Sequence, residues 1–147
     1  LLLAIAGLTP FVLGALLSLG TLNAWLGNPA TGGYALILGN DGPLIMARYG
    51  VIILCFMSGV LWGFATKAEG PQAAAAYVLS VVPTLWVFLN PGRGADEALI
   101  NLMIGFAGVL LLDVAFHRWG LCPPWWLTLR VPLTIVVLIC LAIGVWI

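Results

Sequence analysis

The sequence predicts an all-α integral membrane protein, a bundle of five transmembrane helices, and three observations carry that reading. Of 147 residues, 63% are hydrophobic and 7% charged, with a mean hydropathy of +1.18, whereas a soluble domain carries about 25% charged residues. Apolar runs long enough to cross ~30 Å of hydrocarbon at ~1.5 Å per residue recur along the chain. The intervals between them are rich in Gly, Pro, Asn and charged residues, which punctuate elements. Five acidic and five basic side chains are too few to clothe a core of this size in polar surface, so lipid is the solvent the composition demands.

The first helix is expected over about 1–22, with Pro10 near its middle as a kink site. The second, about 46–66, opens after the breaker Asn40-Asp41-Gly42-Pro43 and closes before Lys67. The third, about 72–89, starts in the alanine run at Ala73 and carries Pro83. The fourth, about 98–116, follows Asn90-Pro91-Gly92-Arg93-Gly94, and the fifth, about 128–147, follows Cys122-Pro123-Pro124. Short connections make consecutive helices antiparallel neighbours. The longer interval 27–45 contains an apolar stretch, Tyr34-Ala35-Leu36-Ile37-Leu38, too short to span; it fits a re-entrant or interfacial segment, or a loop over the bundle mouth. Residues 1–147 read as a single domain with no internal repeat, so an inverted-repeat transporter has no support.

The same residues exclude several classes of function. A formal net charge of zero offers no footprint for nucleic acid. Cys55, Cys122 and Cys140 form no CxxC and read as small packing residues. His117 is the single histidine, so a bis-histidine haem within one chain is ruled out, and neither a cofactor nor a metal is expected. There is no HExxH, no Ser/His/Asp order and no phosphate-cradling loop, so the chain is expected not to be an enzyme. It opens on Leu1-Leu2-Leu3 without methionine or a basic segment, which reads as the loss of the first residues rather than as a signal peptide. Lys67, Arg118 and Arg130 lie on the side of the amino terminus and Arg48 and Arg93 on the other; the positive-inside rule then sets a cytoplasmic amino terminus and an external carboxyl terminus.

Asp113 is the most informative residue, because a carboxylate in an apolar helix must be paired, neutral or wetted. Two readings stand. In one, Asp113 pairs with Arg130 across the short loop and ties the fourth helix to the fifth. In the other, Asp113 and His117, four residues apart, form a proton or cation relay. Gly59 and Gly63 form a GxxxG run around Trp62, which reads first as a packing seam within the bundle and second as a seam for another copy or another protein. Gly7, Gly14, Gly105 and Gly108 are further small packing spots, and Trp119, Trp125 and Trp126 form an interfacial belt.

The ordered set of motifs resembles the small five-helix membrane proteins related to transmembrane protein 69, also described as domain of unknown function 3429. The residues that carry it are Ala6-Gly7-Leu8-Thr9-Pro10-Phe11, Tyr49-Gly50, the run from Ile53 through Ser58 to Gly63, Ser80-Val81-Val82-Pro83, Asp113, Pro124-Trp125-Trp126 and Leu129-Arg130. Cys55 and Met57 depart from the residues expected there, as in a divergent member. The resemblance implies a bacterial or mitochondrial inner-membrane protein and marks Trp62, Asp113, Trp126 and Arg130 as positions to test.

The expectation is a non-catalytic accessory or assembly subunit that packs against a larger complex in an energy-transducing, respiratory or photosynthetic membrane. Its partners would be membrane lipids and other membrane protein subunits. The alternative is a small-solute, proton or lipid transporter or channel using Asp113 and His117.

Overall fold

A computed structural model describes residues 1–20 and 41–147, and these are helical with no strand. The apolar segment Leu2–Ser18 is broken into α1 (Leu2–Ala6) and α2 (Thr9–Ser18). Four longer helices follow: α3 (Gly42–Ala65), α4 (Pro71–Leu89), α5 (Ala95–Arg118) and α6 (Trp126–Trp146). Each of the four has the length and hydropathy to cross a bilayer, and the protein is a multi-pass membrane protein. Leu2–Ser18 is shorter than the expected first span and, at ~1.5 Å per residue, falls a few ångströms short of the hydrocarbon thickness. Most of the interval 27–45, with its re-entrant alternative, lies outside the described residues.

The breaks correct three boundary expectations. Pro10 does not kink a continuous helix; it occupies the first turn of α2, where its missing N–H costs nothing, and the break falls just before it, at Gly7 and Leu8. Its ring excludes the carbonyl four residues back. That carbonyl, Ala6 O, accepts the Thr9 hydroxyl, and Gly7 O accepts Tyr49 Oη from α3 at 3.1 Å. The run Asn40-Asp41-Gly42-Pro43 is not only a breaker. Asp41 caps α3 by accepting from Leu44 N at 3.3 Å and Pro43 lies in the first turn, so the helix starts at Gly42 rather than near 46. Helix α5 likewise starts at Ala95. Acidic Asp96 and Glu97 stand in its first turn and His117 and Arg118 in its last, the arrangement that complements the helix dipole. Pro83 and Pro132 lie inside α4 and α6, as lipid-embedded helices tolerate.

Helix α3 is the hub. It packs against α2, α4, α5 and α6, while α2 meets α6, α6 meets α5, and α5 meets α4. Among the described residues the four neighbours therefore form an arc around α3 whose two ends, α2 and α4, do not pack extensively on each other. The inner face of α3 is the i, i+4, i+8, i+11, i+15 stripe Gly50, Leu54, Ser58, Leu61 and Ala65, all buried. Phe11, Phe106, Phe116, Leu99 and Leu141 complete the core, with Phe11 edge-on to Tyr49 and Phe106. Ser58 Oγ donates to Ser80 O, linking α3 to α4 through two buried residues. Where α2 crosses α3 the backbones nearly touch: a Cβ on Gly42 would lie 2.3 Å from Gly14 O. In lipid such close approach replaces the hydrophobic drive between helices.

Candidate functional site

The polar centre of the membrane-embedded bundle lies between α5 and α6. Asp113 occupies the last third of α5 with 1% of its surface exposed, and Arg130 sits one turn into α6, also buried. The short connection of residues 119–125 folds back so that the two inner faces meet. Arg130 Nε donates to Asp113 Oδ2 at 2.9 Å. Trp126, one turn before Arg130 on the same face, donates from Nε1 to Asp113 Oδ1 at 2.8 Å. Each carboxylate oxygen thus has its own donor, which is the condition under which a carboxylate is held in a dry core.

Trp126 also joins a third helix. Its ring is edge-on to Phe64 of α3 at 5.0 Å, and the Arg130 guanidinium lies over it at 5.9 Å. The group of Asp113, Arg130, Trp126 and Phe64 therefore clamps α3, α5 and α6 at one end of the bundle. Two buried polar groups here, Arg130 Nη2 and Thr134 Oγ1 one turn further along α6, have no hydrogen-bond partner among the described residues. Cys122, in the connection, has its thiol pushed up to about 11, first by burial and then by the negative charge of Asp113, with Lys67 opposing.

The structure separates the other sequence candidates. His117 is exposed and makes no hydrogen bond to Asp113, so the four-residue spacing does not bring a relay together. The side chains of α5 splay at that point: Asp113 turns to α6 while His117 faces out of the bundle. Trp119 and Trp125 are exposed at this end of the bundle, Trp119 stacking on Phe116 at 5.8 Å. Trp126 is turned inward to Asp113 and is a polar partner rather than a member of a belt. Its position four residues before Arg130 was the signal, since both then share one helical face.

The GxxxG run corrects a second expectation. Gly59 and Gly63 are exposed, and a Cβ on either would meet nothing within 4 Å among the described residues. They face outward with Ile52 and Phe56, in the gap of the arc between α2 and α4, so they are not a seam among the described helices. Trp62 is half exposed beside them, its ring 4.7 Å from Tyr77 of α4. Gly14 and Gly105 do lie at crossings, Gly105 against Leu54, whereas Gly108 faces open space. Among the described residues no cluster of His, Cys, Asp or Glu has the geometry of a metal site.

Comparison with known proteins covers nearly the whole chain. The family model described as "Protein of unknown function (DUF3429)" matches residues 1–146. The protein named "Transmembrane protein 69" from Xenopus tropicalis is 33% identical over 138 residues, covering 91% of this chain and 48% of that protein. The chain therefore spans about half the length of that relative. No solved structure matches it.

Proposed function

The chain belongs to the family described as protein of unknown function DUF3429, and we propose that it is a non-catalytic subunit that docks a helix of another membrane protein against α3. One observation carries the reading: the hub helix of the bundle leaves a small-residue groove at Gly59 and Gly63, flanked by Ile52 and Phe56, uncovered by the described residues. A Cβ on either glycine would meet nothing within 4 Å among the described residues. No described residue fills the gap, and it suits the close backbone approach by which transmembrane helices associate. The resemblance to inner-membrane proteins supports an energy-transducing bacterial or mitochondrial inner membrane as the setting, and the excess of Lys67, Arg118 and Arg130 over Arg48 and Arg93 favours a cytoplasmic amino terminus.

The transport alternative has less support from the geometry. Both Asp113 oxygens are engaged by donors from α6, and the expected relay partner His117 faces away. The centre has the character of a clamp rather than of a path.

The test is gentle extraction from the native membrane, native-gel separation and mass spectrometry of the bands. A stoichiometric membrane partner that is lost with Gly59→Ile and Gly63→Ile supports the reading, provided the variants melt as the parent does. Migration of the parent alone, or only with its own copies, overturns it.

A further inference from the structure

We propose that the cleft between α3, α4 and the start of α5, at the end of the bundle away from Asp113, binds the headgroup of an anionic phospholipid. The cleft measures about 370 Å³, within the ~300–1,000 Å³ range of small-molecule sites. Its walls are mostly carbon, from Ala47, Val51, Val87 and Leu102, and two guanidinium-bearing residues, Arg48 and Arg93, complete it.

Arg48 carries the argument. Because α3 starts at Gly42, Arg48 is not at a helix boundary; it lies in the second turn of a transmembrane helix. A cation there is costly unless it is paired or reaches a polar interface. The one ion pair among the described residues is Asp113 with Arg130, so neither Arg48 nor Arg93 has a carboxylate partner there. The acidic groups nearest in sequence do not supply one: Asp41, nearest to Arg48, caps α3 through Leu44 N and does not line the cleft, nor do Asp96 and Glu97 near Arg93, and Glu97 Oε2 accepts the backbone N–H of Arg93 at 2.8 Å. An arginine pair at membrane-interface depth, beside an apolar wall, matches a phosphate with acyl chains attached. Free phosphate has no use for the apolar walls.

The far wall of the cleft is built to keep its shape. Trp86 Nε1 donates to Asn101 O at 2.8 Å, Asn101 Nδ2 to Asn90 O at 3.2 Å and Asn90 Nδ2 to Trp86 O at 3.0 Å. These bonds lock the turn between α4 and α5. Gly92 within it has a φ of +80°, and a Cβ there would strike Ala98 N at 2.6 Å, so the turn packs directly on α5. Arg93 is thereby presented from a fixed backbone.

The test is native mass spectrometry of the detergent-purified chain titrated with phosphatidylglycerol, with phosphatidylcholine of the same acyl chains, and with inorganic phosphate. The expected result is preferential retention of phosphatidylglycerol, weakened about fivefold by Arg48→Gln and again by Arg93→Gln, the scale on which one basic residue holds an anionic membrane surface. Val51→Trp, which fills the cleft and leaves both charges, is expected to abolish the preference. Lys67→Gln with Arg118→Gln, which removes two charges at the other end, is expected to preserve it. Equal binding of the two lipids, inorganic phosphate binding that shows the same arginine dependence, or an equal loss in the Lys67/Arg118 variant would overturn the proposal.

Discussion

Asp113 Oδ2 and Arg130 Nε stand 2.9 Å apart with 1% and 8% of their side chains exposed, so that the two formal charges of the bundle core sit on adjacent antiparallel helices and cancel. The remaining Asp113 oxygen is held by Trp126 Nε1. In a low-dielectric interior such an arrangement is weak evidence of net stabilisation but strong evidence of mutual dependence, because removal of one partner strands the other.

Asp113→Leu and Arg130→Leu singly are accordingly expected to destabilise the protein by ~3–5 kcal/mol, and the double variant by clearly less than either. Thermal melting in detergent reads the difference. A double variant as unstable as the sum of the two would show that the residues do not act as a pair.

Trp126→Phe removes the indole N–H and keeps most of the ring contact with Phe64. The expected cost is about 1 kcal/mol, between the ~1.5–3 kcal/mol of a hydrogen bond to a charged group and the ~0.6 kcal/mol typical inside membranes. Trp125→Phe, on an exposed ring, is expected to change the melting point little. Indistinguishable melting of the two variants would remove the Trp126 hydrogen bond from the account.

The two classes of glycine in α3 are expected to respond with opposite signs. Gly42→Ala puts a Cβ 2.3 Å from a backbone oxygen of α2 and must push the helices apart, at ~1–3 kcal/mol for overpacking. Gly59→Ala meets nothing among the described residues and gains up to about 1 kcal/mol in helix propensity. Denaturant titration of both variants in one detergent checks the signs, and destabilisation by Gly59→Ala would mean that its face is packed after all.

Cys122 supplies a pH-dependent readout at the same end of the bundle. Its thiol is raised from 9.0 to about 11, so the folded state holds the proton more tightly than the unfolded chain. The stability linked to that proton is fully present below about pH 9 and is lost as pH rises through about 11. In a Cys55→Ala, Cys140→Ala background, iodoacetamide labelling is expected to accelerate past pH 9 toward 11, and at lower pH in Asp113→Asn than in the parent. A rate that levels off near pH 9 in the parent would contradict the assigned burial and the proximity of Asp113.

Much of this was legible in residues. A lone acid in an apolar helix and an arginine across a short loop must find each other, and Asp113 and Arg130 do. Trp126 was visible as Arg130's neighbour on the same face, but tryptophans near a helix end also fit a belt, and only the tertiary position separates the two. Asp41 and Pro43 are ambiguous in the same way, because the residues that end one element are those that cap and start the next. That ambiguity hid Arg48 at an expected helix boundary and so hid the cleft it lines. The GxxxG pattern identifies a face but not its direction. Its spacing is satisfied equally by an inner seam and by an outer one, and α3 uses other glycines, Gly42 and Gly50, for its inner contacts.

The docking of α3 is tested most directly by a photoreactive benzophenone side chain placed at position 59 or 63 in the native membrane, with position 111, an exposed site on α5, as the lipid-facing control. A single membrane-protein adduct from 59 and 63 with none from 111 is the expected result. Lipid adducts alone at all three positions, or adducts only with a second copy of the chain, would contradict it.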